Sequence, residues 1–148
     1  MTRHFKLLGF YFWLLGIFTV GRWALSFSGM PYERATIIFS LVPLALIASA
    51  HHAAFARAFA GYSMKDALGL GATIGVITQI VIFVSTVLSY LLGMNTLWNA
   101  PTALNQTAAI PLTAALAART GGLVVNTILN VIAAALGYAM GGGLKTNR

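Results

Sequence analysis

The sequence has 148 residues, 59% of them hydrophobic and only 7% charged, where soluble domains carry roughly a quarter charged, and so a water-facing globule is excluded. Nine Lys and Arg against two acids give a net charge of +7, but these cations stand singly between apolar runs rather than on one basic face, which argues against a nucleic-acid partner and fits a membrane chain. The absence of cysteine excludes disulfides, thiol redox chemistry and Cys-ligated zinc or iron–sulfur centres.

About 20 apolar residues cross the roughly 30 Å hydrocarbon layer. Runs of that order predict an all-α integral membrane protein, a bundle of about four transmembrane helices in one polytopic domain. The predicted spans are about 7–27, 35–50 or longer, 67–94 and 122–142. Helices are required because unpaired backbone groups in lipid cost several kcal/mol and no alternating barrel pattern is present.

The first run follows Arg3 and Lys6 and reads as a retained signal anchor, since Gly21 and Arg22 separate its apolar core from the cleavage-like Ala24-Leu25-Ser26. Gly9 and Gly16 place small residues on one of its faces. Arg22 lies about 22 Å along the helix from Leu7 and is expected to snorkel to the surface, with Glu33 as its partner. Ser28-Gly29-Met30-Pro31 then makes a turn.

In the second run Pro43 removes a backbone donor and frees the carbonyl of Phe39, which predicts a kink. Residues 51–65 admit two readings, an interfacial amphipathic helix or the second helix emerging from lipid, because His52, Phe55, Phe59 and Tyr62 fall at helical spacing on one face with Arg57 elsewhere. Neutral imidazole binds haem iron, so His51 or His52 with His4 forms a candidate haem b site. Adjacent helical residues point about 100° apart, which favours interfacial histidines and no bound cofactor or metal.

The third run carries the Gly71/Gly75 pair and Gln79 near its middle. The fourth carries Asn126 and Asn130 on one face and the ladder Ala133, Gly137, Gly141. Small residues allow close helix contact in lipid, and buried amides seek partners. Gln79 is therefore expected to bond Asn126 or Asn130 as packing glue, the alternative being a solute path lined by the same groups. Between these runs lies the uncharged loop 95–107, with a glycosylation-like Asn105-Gln106-Thr107. The apolar stretch 108–118 is too short to span and is set off by Arg119-Thr120-Gly121-Gly122, predicting a short interfacial helix. Arg22, Glu33, Arg57 and Arg119 are expected to be interfacial charges.

Counting Arg3, Lys6, Arg57, Lys65, Lys145 and Arg148 on one side against Arg22, Arg34 and Arg119 on the other places both termini in the cytoplasm. No phosphate-binding loop, HExxH or carboxylate pair is present, Glu33 and Asp66 belonging to opposite faces. The leading expectation is a non-catalytic helical subunit, partnered by lipid and by other membrane subunits or itself. The alternatives are a small oligomeric transporter or channel using Gln79, Asn126, Asn130 and the Pro43 kink, and a haem-binding electron-transfer anchor.

Overall fold

A computed structural model describes residues 2–145, with side chains from His4 to Leu144. Arg148 lies outside the described residues, as do the side chains of Arg3 and Lys145, so half of the charges counted toward the cytoplasmic side have no described side chain.

The described chain is helical throughout, without strands: α1 (Thr2–Leu7), α2 (Gly9–Phe27), α3 (Tyr32–Ile38), α4 (Leu41–Phe59), α5 (Met64–Leu91) and α6 (Leu112–Gly141), with 3-10 turns at Pro101–Leu104 and Gly143–Lys145. Four helices are long and apolar enough to cross a membrane: α2, the α3–α4 pair taken as Tyr32–Phe59, α5 and α6. Their outward faces carry large apolar side chains such as Trp13, Ile37, Leu91 and Met140. In water so much exposed apolar surface would drive association; in lipid it is the solvated face.

Local chemistry sets the ends of these helices. Ser63 and Asp66 form a reciprocal capping box at the start of α5, the Asp66 amide donating to Ser63 Oγ at 3.2 Å and the Ser63 amide to Asp66 Oδ2 at 2.9 Å. Gly61 and Gly93, at φ of 63° in each case, end α4 and α5 in the left-handed conformation that suits glycine. The His4 ring packs against Tyr62, and Arg57 of α4 reaches the last carbonyls of α6. The start of α1, the end of α6 and the α4–α5 turn thus share one end of the bundle, the terminal end. The 92–111 crossing forms the opposite, loop end.

The predicted kink at Pro43 is a break. α3 stops at Ile38, Phe39 and Ser40 leave helical geometry, and α4 restarts at Leu41, which puts Pro43 in a first turn where its missing N–H has no intrahelical role. Residues 51–65 form no separate interfacial helix. α4 runs on to Phe59, carrying His52 inward while Phe55 and Phe59 face out and Tyr62 sits in the turn beyond. The short helix expected at 108–118 is also absent as a separate element, because α6 runs unbroken from Leu112 through Gly121-Gly122. Two glycines cost a helix about 1 kcal/mol each, whereas opening backbone hydrogen bonds at membrane depth costs more.

Packing uses the small-residue ladders. α6 lies against both α5 and α4, while α2 is the most loosely held span. A Cβ placed on Gly71 would stand 2.6 Å from Ala134 Cβ and from the Asn130 carbonyl oxygen. One on Gly75 would stand 2.9 Å from Thr127 Cα. Gly137 and Gly141 meet the backbone of α4 at Ala50 and Ala54. These glycines join helices within the chain. Gly9 and Gly16 of α2, by contrast, face open space on an apolar groove shared with Trp13, Ile17 and Phe39. The main core runs through Tyr11 and Leu15 of α2, Leu41 and Ala45 of α4, Leu70 and Ile74 of α5, and Trp98 of the crossing.

Candidate functional site: a two-arginine cavity

Pro43 and the break before it have a chemical consequence at Arg22. The Phe39 carbonyl freed by the break accepts a long 3.5 Å hydrogen bond from Arg22 Nη1, and the Leu97 carbonyl accepts one of 3.2 Å from Nη2. The guanidinium carbon also lies 5.4 Å from the Tyr32 ring centroid and 5.0 Å from that of Trp98. Arg22 is only 7% exposed. It does not snorkel toward Glu33 as expected: its hydrogen-bond partners are backbone carbonyls, and Glu33 is exposed in the first turn of α3.

Arg119 is drawn inward in the same way. Its Nε donates to Thr86 Oγ1 at 2.9 Å, Nη1 to the Ala103 carbonyl at 3.1 Å and Nη2 to the Trp98 carbonyl at 2.6 Å. The continuity of α6 carries Arg119 to this position, and its fork clasps the 92–111 crossing onto α5. Arg57 is likewise more than a surface charge, since its Nη1 donates to the carbonyls of Tyr138 and Ala139, where cations suit a helix C-terminus.

Arg22 and Arg119 line one cavity of about 200 Å³, together with Tyr32, Trp98, Gln79 and Asn126. No carboxylate lines it. The sequence holds two acids; Glu33 is exposed, and Asp66 caps α5 at the terminal end. Two like charges taken out of water without a counter-charge are expensive. Two donors on lining residues, Arg22 Nε and Trp98 Nε1, are buried with no hydrogen-bond partner. Asn105 also lines the cavity. It ends the Pro101–Leu104 turn at a φ of 55°, the left-handed cap conformation that asparagine adopts readily.

The expected amide glue has a different composition. Asn130 is bonded across to α4, accepting from Ser49 Oγ at 2.7 Å, while its Nδ2 donates to the Asn126 carbonyl of its own helix at 2.8 Å. Asn126 Nδ2 donates to the Gly122 carbonyl at 2.9 Å. Gln79 bonds neither asparagine. It is 4% exposed, lines the cavity, and its carboxamide makes no hydrogen bond among the described residues. Ser49 therefore does the work assigned to Gln79, and Tyr11 adds a second interhelical bond by donating to Thr78, whose hydroxyl is committed to the Ile74 carbonyl. Ser49→Ala is expected to lower stability by about 1 kcal/mol, whereas Gln79→Leu leaves it nearly unchanged, because the amide faces the cavity and has no protein hydrogen bond to lose. Thermal melts of the two variants in one detergent check this; a larger loss in Gln79→Leu would contradict it.

The three histidines have separate partners. His52 turns inward, its Nδ1–H donating to the Ala48 carbonyl at 2.8 Å and its ring set edge-on to Tyr11. His51 is exposed, as neighbours about 100° apart on a helix require. His4 pairs with the Tyr62 hydroxyl at 3.3 Å. No group of three or more His, Asp or Glu that could hold a metal occurs among the described residues.

Tyr32, Thr86, Trp98, Ser49 and Thr78 were not singled out by the sequence analysis. Isolated polar or aromatic residues in apolar runs gain meaning only from what the fold sets against them. Comparison of the chain with protein-family models, curated proteins and solved structures finds no match.

Proposed function

We propose that this multi-pass membrane protein binds a small anion in the two-arginine cavity, as the first step of carrying it across the bilayer. The observation that carries this reading is a pair of guanidinium groups on one small cavity with no carboxylate among its lining residues. Each guanidinium has five N–H donors, and Arg119 commits three while Arg22 commits two. Both therefore keep donors for a further acceptor. An anion would neutralise the paired charge in a low-dielectric site, where charge-assisted hydrogen bonds are strongest. The cavity's reach from Arg22 to Gln79, a residue near the middle of α5, supports entry from the loop end.

The test is ligand-dependent stability of the purified protein. A carboxylate bound only by the folded state stabilises it by about 2.7 kcal/mol at 100 times its Kd, or roughly 5–10 °C in Tm. Butyrate is expected to raise Tm in this way and the neutral analogue butyramide is not, and uptake of butyrate by proteoliposomes should follow. Equal shifts for the two compounds, or none for any small carboxylate or phosphate, would remove the basis of the proposal.

The orientation that accompanies this reading has both termini in the cytoplasm. Its support is the excess of Lys and Arg counted at the terminal end, six against three at the loop end. A cysteine at Thr102 and another at Thr146, the latter outside the described residues, are expected to label from opposite sides of sealed vesicles. Labelling from the same side would overturn this topology.

A second reading, a helical subunit of a larger assembly, is favoured by the apolar groove along α2 between Gly9, Gly16 and Phe39. A stoichiometric membrane protein crosslinked to Gly16→Cys in native membranes would support it. Crosslinks to lipid alone would count against it.

A further inference from the structure

The cavity has two chemically different ends. Arg119 is fixed to Thr86 at the loop end, while Gln79 on α5 and Asn126 on α6 each lie seven residues from that bonded pair. At 1.5 Å per residue that is about 10 Å of helix rise between the backbone positions, although Gln79 Oε1 and Asn126 Nδ2 each come within 3.8 Å of where a Gly122 Cβ would stand. The deeper end carries no charge. It offers the carboxamide of Gln79, a residue only 4% exposed, without a hydrogen bond among the described residues, and the Asn126 side chain, whose Nδ2 gives one of its two N–H donors to the Gly122 carbonyl and keeps the other beside the Oδ1 acceptor. Leu41, Val42, Ile82 and Leu104 also line the cavity as apolar wall.

From this we infer that the ligand is a short linear carboxylate bearing an uncharged hydrogen-bonding group at its far end, read by Gln79 and Asn126. This rests on the proposed anion site and names its substrate class. A second anionic group at the deep end would have no cation beside it. A hydroxyl or amide there donates to Asn126 Oδ1 and pairs with either face of the Gln79 carboxamide. The cavity of about 200 Å³ admits a small organic acid.

Titration of the wild-type protein in lipid nanodiscs with 4-hydroxybutyrate and with pentanoate, in which a methyl group replaces the terminal hydroxyl, tests the assignment. Burial alone favours pentanoate. The expected result is the reverse, with 4-hydroxybutyrate binding about tenfold tighter. In Gln79→Leu the preference is expected to vanish or invert. Equal binding or a preference for pentanoate by the wild type overturns the deep-end assignment while leaving the anion site standing, and the comparison needs no variant to fold. A preference that survives unchanged in Gln79→Leu removes Gln79 as its reader. Failure of both acids to bind overturns this substrate class, and the underlying anion site falls with it where butyrate and phosphate also leave Tm unchanged.

Discussion

Gly137→Leu is expected to abolish the folded bundle. A Cβ at Gly137 would stand 2.0 Å from the carbonyl oxygen of Ala50 and 2.6 Å from its carbonyl carbon and Cα, and one turn later a Cβ at Gly141 would stand 2.4 Å from the Ala54 oxygen. Every atom met is α4 backbone, so no side-chain rotation relieves the contact. The two helices would have to part by more than an ångström. In lipid, where close packing and interhelical hydrogen bonds hold helices together, that separation removes the association itself. It would also pull Asn130 away from Ser49, whose bond crosses the same interface. A loss above about 4 kcal/mol, large enough to unfold many domains, should appear as aggregation on detergent extraction. Gly121→Ala is the control, because nothing lies within 4 Å of a Cβ there and alanine favours helix by about 1 kcal/mol. If Gly137→Leu melts like the wild type, α4 and α6 do not approach as described.

Arg119→Gln is expected to lose both anion binding and the closure of the loop end. Three hydrogen bonds, to Thr86 and to the carbonyls of Trp98 and Ala103, fix the crossing to α5 and α6. Bonds to a charged group contribute about 1.5–3 kcal/mol each, and relief of repulsion from Arg22 offsets part of the loss. A net fall of about 2–4 kcal/mol follows, together with faster proteolysis within residues 95–107. Arg119→Lys keeps the charge but not the planar fork, so it is expected to retain part of the carboxylate-dependent Tm shift while leaving the crossing loose. The two variants thereby separate charge from clasp. A glutamine variant with full protease resistance and an undiminished carboxylate response would show that Arg119 performs neither role.

The spans were legible because length and hydropathy are local quantities: an apolar run that must satisfy its own backbone can only be a helix. The turn at Ser28–Pro31, the open carbonyl at Phe39 and the ladders at Gly71/Gly75 and Gly137/Gly141 were readable for the same reason. Two boundaries were not. The Arg119-Thr120-Gly121-Gly122 segment looks like a break by propensity, yet α6 passes through it, since propensity is worth about 1 kcal/mol per glycine and membrane depth penalises open backbone more. The aromatic spacing from His52 to Tyr62 suggested an interfacial face, but neighbouring helices cover only part of α4 there, burying His52 and leaving Phe55 and Phe59 exposed.

What the sequence by itself determined is the helical class, the four helices long and apolar enough to cross a membrane, and the shortage of acids that leaves Arg22 and Arg119 with carbonyl partners. Where those arginines go was decided only by the tertiary structure. Arg22 and Arg119 are 97 positions apart, and each, read alone, is a long side chain able to snorkel to a nearby surface. They share a cavity because the Pro43 break exposes the Phe39 carbonyl to one, because the unbroken α6 brings the other to Thr86, and because the 92–111 crossing lays Trp98 between them. The same holds for Gln79. An amide near mid-helix needs a partner whichever way it faces, and only the packing of α4 on α6 gave Asn130 to Ser49 and left Gln79 to the cavity.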